Sequence, residues 1–100
     1  MIQGSTPTHY FKLPINTSLV KECRVLYGQN DVLIFKKTTE DCVLYDDTIE
    51  VTLTQADTFN LTLGQLVQIQ LRVLTTDGDA LVTPIHTVSI TSCLDNEVLE

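Results

Sequence analysis

The chain has 100 residues, 43% hydrophobic and 19% charged, and its six basic and thirteen acidic side chains leave a net charge of −7. A folded chain of this length removes roughly 60–70% of its unfolded surface from water, which suffices for one core and leaves little space for an enclosed active site. The acidic excess removes the attraction for phosphate backbones and anionic lipid on which non-specific binding to nucleic acid and membranes rests, so neither is expected as a partner.

Val, Ile and Thr make up about a third of the residues while Ala occurs only at positions 56 and 80, a skew that favours pleated, half-buried strands over helices. Along Thr8–Leu13, alternation buries either Tyr10 or the pair Phe11 and Leu13, and we place Phe11 and Leu13 inward. Pro14 has no N–H for a ladder, and Asn16-Thr17-Ser18 supplies a polar turn. From Leu19 to Gly28, Cys23, Val25 and Tyr27 share one face and Glu22, Arg24 and Leu26 the other. Gln29-Asn30-Asp31 is turn chemistry, and Val32 to Lys37 follows at once, so the two runs read as a hairpin whose second strand closes on a solvated edge at Lys36 and Lys37. Cys42 to Tyr45 is a short apolar piece, and Asp46-Asp47 turns the chain into Thr48–Thr54, with Ile49, Val51 and Leu53 on one face.

Thr54 three residues before Asp57 approximates a capping box, so one helical turn is expected near residues 55–59, after which Phe59, Leu61 and Leu63 tuck under the sheets. Leu66–Thr75 carries the longest alternation, with Val67, Ile69, Leu71 and Val73 on one face, and belongs at the centre of a sheet. Asp77-Gly78 signals a hairpin. Its second strand starts at Ala80, is interrupted by Pro84, and resumes from Ile85 to Thr91; a proline there implies an edge, a bulge or a change of sheet. About seven short strands with one helical turn describe an all-β, immunoglobulin-like, two-sheet antiparallel sandwich over residues 1–92, followed by an acidic tail, 93–100, that is either frayed or held by a partner. The polar Met1–Tyr10 segment is no signal peptide, and nothing downstream reaches the ~18 apolar residues of a membrane span.

Candidate chemistry is sparse. Cys23, Cys42 and Cys93 are an odd number at irregular spacings, which suits reduced, partly buried thiols. If one bridge forms, Cys23 with Cys42 is the pair that adjacent antiparallel strands place opposite each other. His9 and His86 read as surface or rim residues, and a Cys93–His86 pairing lacks any sign of activation. Asp46-Asp47 and Asp77-Gly78-Asp79 supply too few oxygens for calcium and are accounted for as turns. The four glycines are dispersed, so no phosphate loop exists. No catalytic residue, metal or cofactor is expected. What remains is recognition through surfaces, with the N-terminal strand and the Pro84 strand as the open edges: Thr6, Thr8 and Tyr10 on one, Thr83, Ile85 and Thr87 on the other, and Leu94, Val98 and Leu99 in the tail.

The opening Ile2-x-Gly4-x-Thr6-Pro7-Thr8-x-x-Phe11-x-Leu13-Pro14, the block Leu53-Thr54-Gln55-Ala56-Asp57-Thr58 and the strand Val67–Leu74 together resemble small proteins encoded in phage and prophage clusters of Gram-positive bacteria. They are also similar in plan to the N-terminal sandwich of phage upper-baseplate proteins. The resemblance implies a non-enzymatic virion structural or adaptor protein of tail, baseplate or capsid, assembled in the host cytoplasm, that associates with itself or docks onto another structural protein. It transfers no functional residue, since the matching positions are turn and core residues. Two other readings stand beside it. One is a binding module for a cell-surface carbohydrate or peptide, using loops at one end such as Asp46-Asp47 and Asp77–Asp79. The other is an acidic inhibitor mimicking nucleic acid, which requires carboxylates gathered on one face.

Overall fold

A computed structural model describes residues 1–100. The strands are β1 (Thr8–Lys12), β2 (Val20–Gln29), β3 (Val32–Thr38), β4 (Cys42–Tyr45), β5 (Thr48–Thr52), β6 (Val67–Thr75), β7 (Ala80–Val82) and β8 (His86–Val88), with one helix, α1 (Gln55–Phe59), between β5 and β6. They form two antiparallel sheets, a three-stranded one in the order β1-β5-β4 and a five-stranded one in the order β3-β2-β6, with β7 and β8 both on the far side of β6. The expected two-sheet sandwich and its helical turn at 55–59 are therefore present. No helix is long and apolar enough to cross a membrane.

The core follows from the period of two. Cys23, Val25 and Tyr27 from β2, Ile49 and Val51 from β5, Leu53 just after it, and Val67, Ile69, Leu71 and Val73 from β6 are all buried, with Leu13, Leu61 and Ile90 closing the cluster. Phe11 packs against this cluster beside the buried Leu13, while Tyr10 is exposed, so the inward set on β1 is the expected one. Each such aliphatic side chain contributes roughly 1.5–3 kcal/mol through burial. β6 lies between β2 and the pair β7 and β8, at the centre of its sheet as its unbroken alternation implies.

Turn chemistry sets the registers. Asn30 and Asp31 adopt φ of 51° and 61°, the left-handed pair that a type I′ two-residue hairpin needs, and they join Gln29 to Val32. Thr54 caps α1 by accepting from the Asp57 N–H, while Asp57 Oδ2 accepts from the Thr54 N–H at 2.8 Å, the reciprocal box expected from the sequence. Pro84 splits the last strand in two, which gives eight strands against about seven expected. Thr83 bridges the gap: its Oγ1 accepts from the Leu71 N–H, and its carbonyl accepts from Gln70 Nε2. The outcome is thus a bulge on an edge.

Several expectations are corrected. Gln29 ends β2 as a buried residue, its amide donating to the carbonyls of Thr62 and Gln65 and accepting from the Thr62 N–H; the turn proper is Asn30-Asp31 alone. Leu63 is exposed while Leu61 is buried, because Gln29 holds the intervening backbone at Thr62 and the chain turns outward at Gly64, φ +81°. Lys37 does not lie on a solvated edge. Between Tyr27 and Gly28 the ladder slips, so that Tyr27 faces Phe35 while Gly28 faces Leu33, and Ile34 is the extra residue of a bulge. A one-residue slip exchanges the two faces of a strand, so Phe35 and Lys37 turn inward and Ile34 turns out.

The two sheets are joined along both sides. On one side, a 3-10 turn at Thr39–Asp41 carries the chain from β3 to β4. On the other, the N-terminal segment runs beside the segment that follows β8, with an Ile2–Thr91 bridge and Gln3 N–H donating to the Thr91 carbonyl.

Candidate functional site

Two places carry features beyond packing: a polar cluster between the sheets, and the outer surface of the five-stranded sheet.

The cluster starts from register. In the three-stranded sheet His9 and Cys42 both pair with the buried Val51, so both side chains point inward. From the facing sheet, Tyr27 pairs with Phe35 and Val25 with Lys37. His9 Nδ1 lies 2.7 Å from the Tyr27 hydroxyl, and the Tyr27 and Phe35 rings stack at 4.8 Å. Lys37 Nζ stands 5.9 Å from the Phe35 centroid and 2.6 Å from Asp57 Oδ2. Burial, and then the charges of Cys42 and Asp57, push the Tyr27 phenol far above its ordinary value. Burial, followed by the positive amino group of Met1, lowers His9. For Asp57, burial opposes ionisation, but the Lys37 ammonium and the Thr54 N–H and hydroxyl outweigh it and hold the carboxyl below the usual range.

Cys23 and Cys42 complete the cluster. Thr39 Oγ1 accepts from the Cys23 N–H at 2.9 Å and donates to the Cys23 carbonyl at 3.3 Å, which fixes the crossover turn against β2. Cys42 opens β4 directly after this turn and packs against the core cluster that holds Cys23, which puts its thiol within hydrogen-bonding reach of the Cys23 thiol. That contact lowers Cys23 to about 7, against the opposing effect of burial and with help from the Thr39 hydroxyl. The same contact, together with burial, raises Cys42. All three cysteines are free thiols. The expectation that adjacent strands bring Cys23 and Cys42 together is corrected: β2 and β4 belong to different sheets, and the crossover turn brings the pair together.

Nucleophilic catalysis needs a base bonded to its nucleophile. His9 is bonded to Tyr27, and the neighbour of each inward thiol is the other thiol. His86 is exposed on β8. No three His, Cys, Asp or Glu side chains converge as a metal site would require.

The residues singled out as an interface are dispersed. Thr8 hydrogen-bonds Thr52 Oγ1 at 2.8 Å on the edge strand β1, and Tyr10 is exposed on the outer face of the three-stranded sheet. Thr6 is exposed just before β1, and Thr87 is exposed on β8. Thr83 is spent on the β6 ladder, whereas Ile85 is exposed. Leu94, Val98 and Leu99 are exposed, and the tail is tied back at one point, where the Gln55 amide donates to the Leu99 carbonyl at 3.0 Å and accepts from the Leu99 N–H at 2.9 Å.

Sequence reasoning missed the longest run of consecutive exposed aliphatic side chains. Val32, Leu33 and Ile34 are 60%, 54% and 39% exposed in succession on the edge strand β3. Val32 and Leu33, with Leu26 and Ile85, line one shallow groove across the outer face, with Gln68 and Gln70 between them. The available signal was the unbroken run Val32-Leu33-Ile34-Phe35, too apolar for a strand with one wet side. No family model, curated protein or solved structure matches this chain.

Proposed function

We propose that the chain is a non-enzymatic assembly or adaptor protein, an immunoglobulin-like sandwich of the phage virion structural type, which acts by associating with itself or by docking onto another structural protein. The observation that carries this reading is the run Val32-Leu33-Ile34. Three consecutive exposed aliphatic side chains on an open edge, continuous with Leu26 and Ile85, are a liability that a soluble domain retains only where something covers them. The edge offers unpaired backbone groups for strand addition, and the groove beside it offers apolar contact. Light scattering at micromolar concentration, with co-purification from virions or tail assemblies, tests the proposal. A stable oligomer or a tail or capsid partner, lost in Leu33→Lys, is the expected outcome; a strict monomer that recovers no virion partner overturns it.

A second reading, binding of a carbohydrate, draws on the outer face of the three-stranded sheet instead of the loops. Tyr10 and Tyr45 are both exposed there, Tyr10 pairs with Glu50, and the Tyr45 hydroxyl lies 3.4 Å from Glu50 Oε1. Two tyrosines beside a carboxylate combine stacking with hydrogen bonding. A glycan array on which the wild type and Tyr10→Ala behave alike, with no ligand bound, removes this reading.

A further inference from the structure

We propose that Cys23 and Cys42 are the site of a reversible inter-sheet disulfide, formed on exposure to a hydroperoxide, which staples the two layers of the sandwich together.

The geometry that supports it is local to the crossover. Facing sheets lie about 10 Å apart, wider than the ~4.4–6.8 Å between Cα atoms that a disulfide spans. Here a crossover turn, bonded to Cys23 at one end, delivers Cys42 at the other. Thr39 bonds both backbone groups of Cys23, the 3-10 turn Thr39–Asp41 follows, and Cys42 opens β4 directly after it, packed against the core cluster that contains Cys23. Asp41 Oδ2 accepts from the Thr38 N–H at 2.9 Å and braces the turn. Cys23 is buried and Cys42 is half-buried, so solvent reaches the pair through Cys42.

The chemistry balances in two steps. The Cys23 sulfur, as thiolate, attacks the terminal oxygen of the hydroperoxide; the S–O bond forms, the O–O bond breaks, and the alkoxide leaves as an alcohol after taking up a proton. The Cys42 sulfur then attacks the sulfur of the Cys23 sulfenic acid; the S–S bond forms, the S–O bond breaks, and the departing hydroxide takes the proton released by Cys42 and leaves as water. Two electrons pass from the two sulfurs to the peroxide. The lowered ionisation of Cys23 supports the first attack, because the thiolate is the reactive form.

Cys93→Ser protein, which retains only the two inward thiols, is treated with hydrogen peroxide and digested with trypsin. Cleavage at Lys21, Arg24, Lys37 and Arg72 places Cys23 in the peptide Glu22–Arg24 and Cys42 in Thr38–Arg72. The expected results are the loss of both titratable thiols, a mass lower by two hydrogens, and these two peptides joined until a reductant is added. The melting midpoint is expected to rise by about 10 °C on oxidation, since the cross-link restricts the unfolded chain. Cys42→Ser in the same background abolishes the rise. Two thiols that remain titratable, a link between chains, or a cross-link that leaves the midpoint unchanged overturns the proposal.

Discussion

Lys37 Nζ lies 2.6 Å from Asp57 Oδ2, with both side chains less than one-fifth exposed, and this pair ties the edge strand β3 to the helical turn that links the sheets. Asp57 also closes the capping box of α1, so one carboxylate holds two elements. Removing one partner leaves the other charge poorly solvated. Lys37→Met is expected to cost about 1–3 kcal/mol in urea denaturation. The Asp57 carboxyl is held below its ordinary 3.8. Its stabilisation is therefore fully present above that value and is lost as pH falls through the lower folded value. Asp57→Asn should flatten this acid limb, and an unchanged limb counts against the pair.

The reason Lys37 faces inward marks the boundary of what the sequence reveals. The inward sets Cys23-Val25-Tyr27, Ile49-Val51-Leu53 and Val67-Ile69-Leu71-Val73 follow from alternation, and the Thr54–Asp57 box from spacing, because these are local patterns. The bulge at Ile34 is not local. It arises where the type I′ turn, the inward Tyr27 and the need to stack Phe35 on Tyr27 meet, and it reverses the facing of every later residue in β3. The Cys23–Cys42 contact depends likewise on a crossover between sheets, and the Gln29 and Gln55 clamps depend on loops brought from 33 and 44 residues away. The apolar run on β3 stands out in the sequence, but which of its side chains are exposed follows only from the register.

His9 and Tyr27 give a second pH effect. The Tyr27 phenol keeps its proton and shares a 2.7 Å hydrogen bond with Nδ1 of the neutral His9 ring. Burial, followed by the Met1 amino group, depresses the histidine below 6.5, so this contribution is complete above pH 6.5 and is lost as pH falls through the folded value. Tyr27→Phe should cost about 1–2 kcal/mol at neutral pH. His9→Gln should remove the slope of stability just below pH 6.5, as read from denaturation midpoints in a pH series.

Gly28 is required by close approach. A Cβ there meets the Val32 carbonyl oxygen at 2.9 Å and Gln68 Oε1 at 3.8 Å. The bare backbone leaves room for the Val32 carbonyl, and beside it Gln68 crosses β2 to the turn, where its amide accepts from the Asp31 N–H and donates to Asp31 Oδ1. Gly28→Ala is therefore expected to destabilise by about 1–3 kcal/mol and to weaken amide-exchange protection at Asp31. Gly64→Ala, which meets no atom within 4 Å but adopts φ +81°, should cost only about 1 kcal/mol from backbone strain. Equal effects of the two substitutions would show that the close approach of the Val32 carbonyl to Gly28 contributes nothing.

The Gln55 clamp makes the tail separable from the core. Its two hydrogen bonds to Leu99 are exposed, so their net worth is small, roughly 0.5–1.5 kcal/mol each before the entropy of ordering the tail is subtracted. Gln55 also lies in the first turn of α1, yet the cap is made by Thr54 and Asp57, so Gln55→Ala leaves the helix its box and a favourable helix former. The substitution should leave the global denaturation midpoint within about 0.5 kcal/mol of wild type while accelerating amide exchange at Leu99 and proteolysis within Cys93–Glu100. Protection at Leu99 that persists in Gln55→Ala would mean that contacts of Val98 or Leu99 hold the tail, and a fall in global stability would mean that the tail is part of the folding unit. The rest of the tail is held little: Leu94 and Leu99 are more than two-thirds exposed, so releasing this one amide pair frees a short acidic, leucine-bearing segment without opening the sandwich.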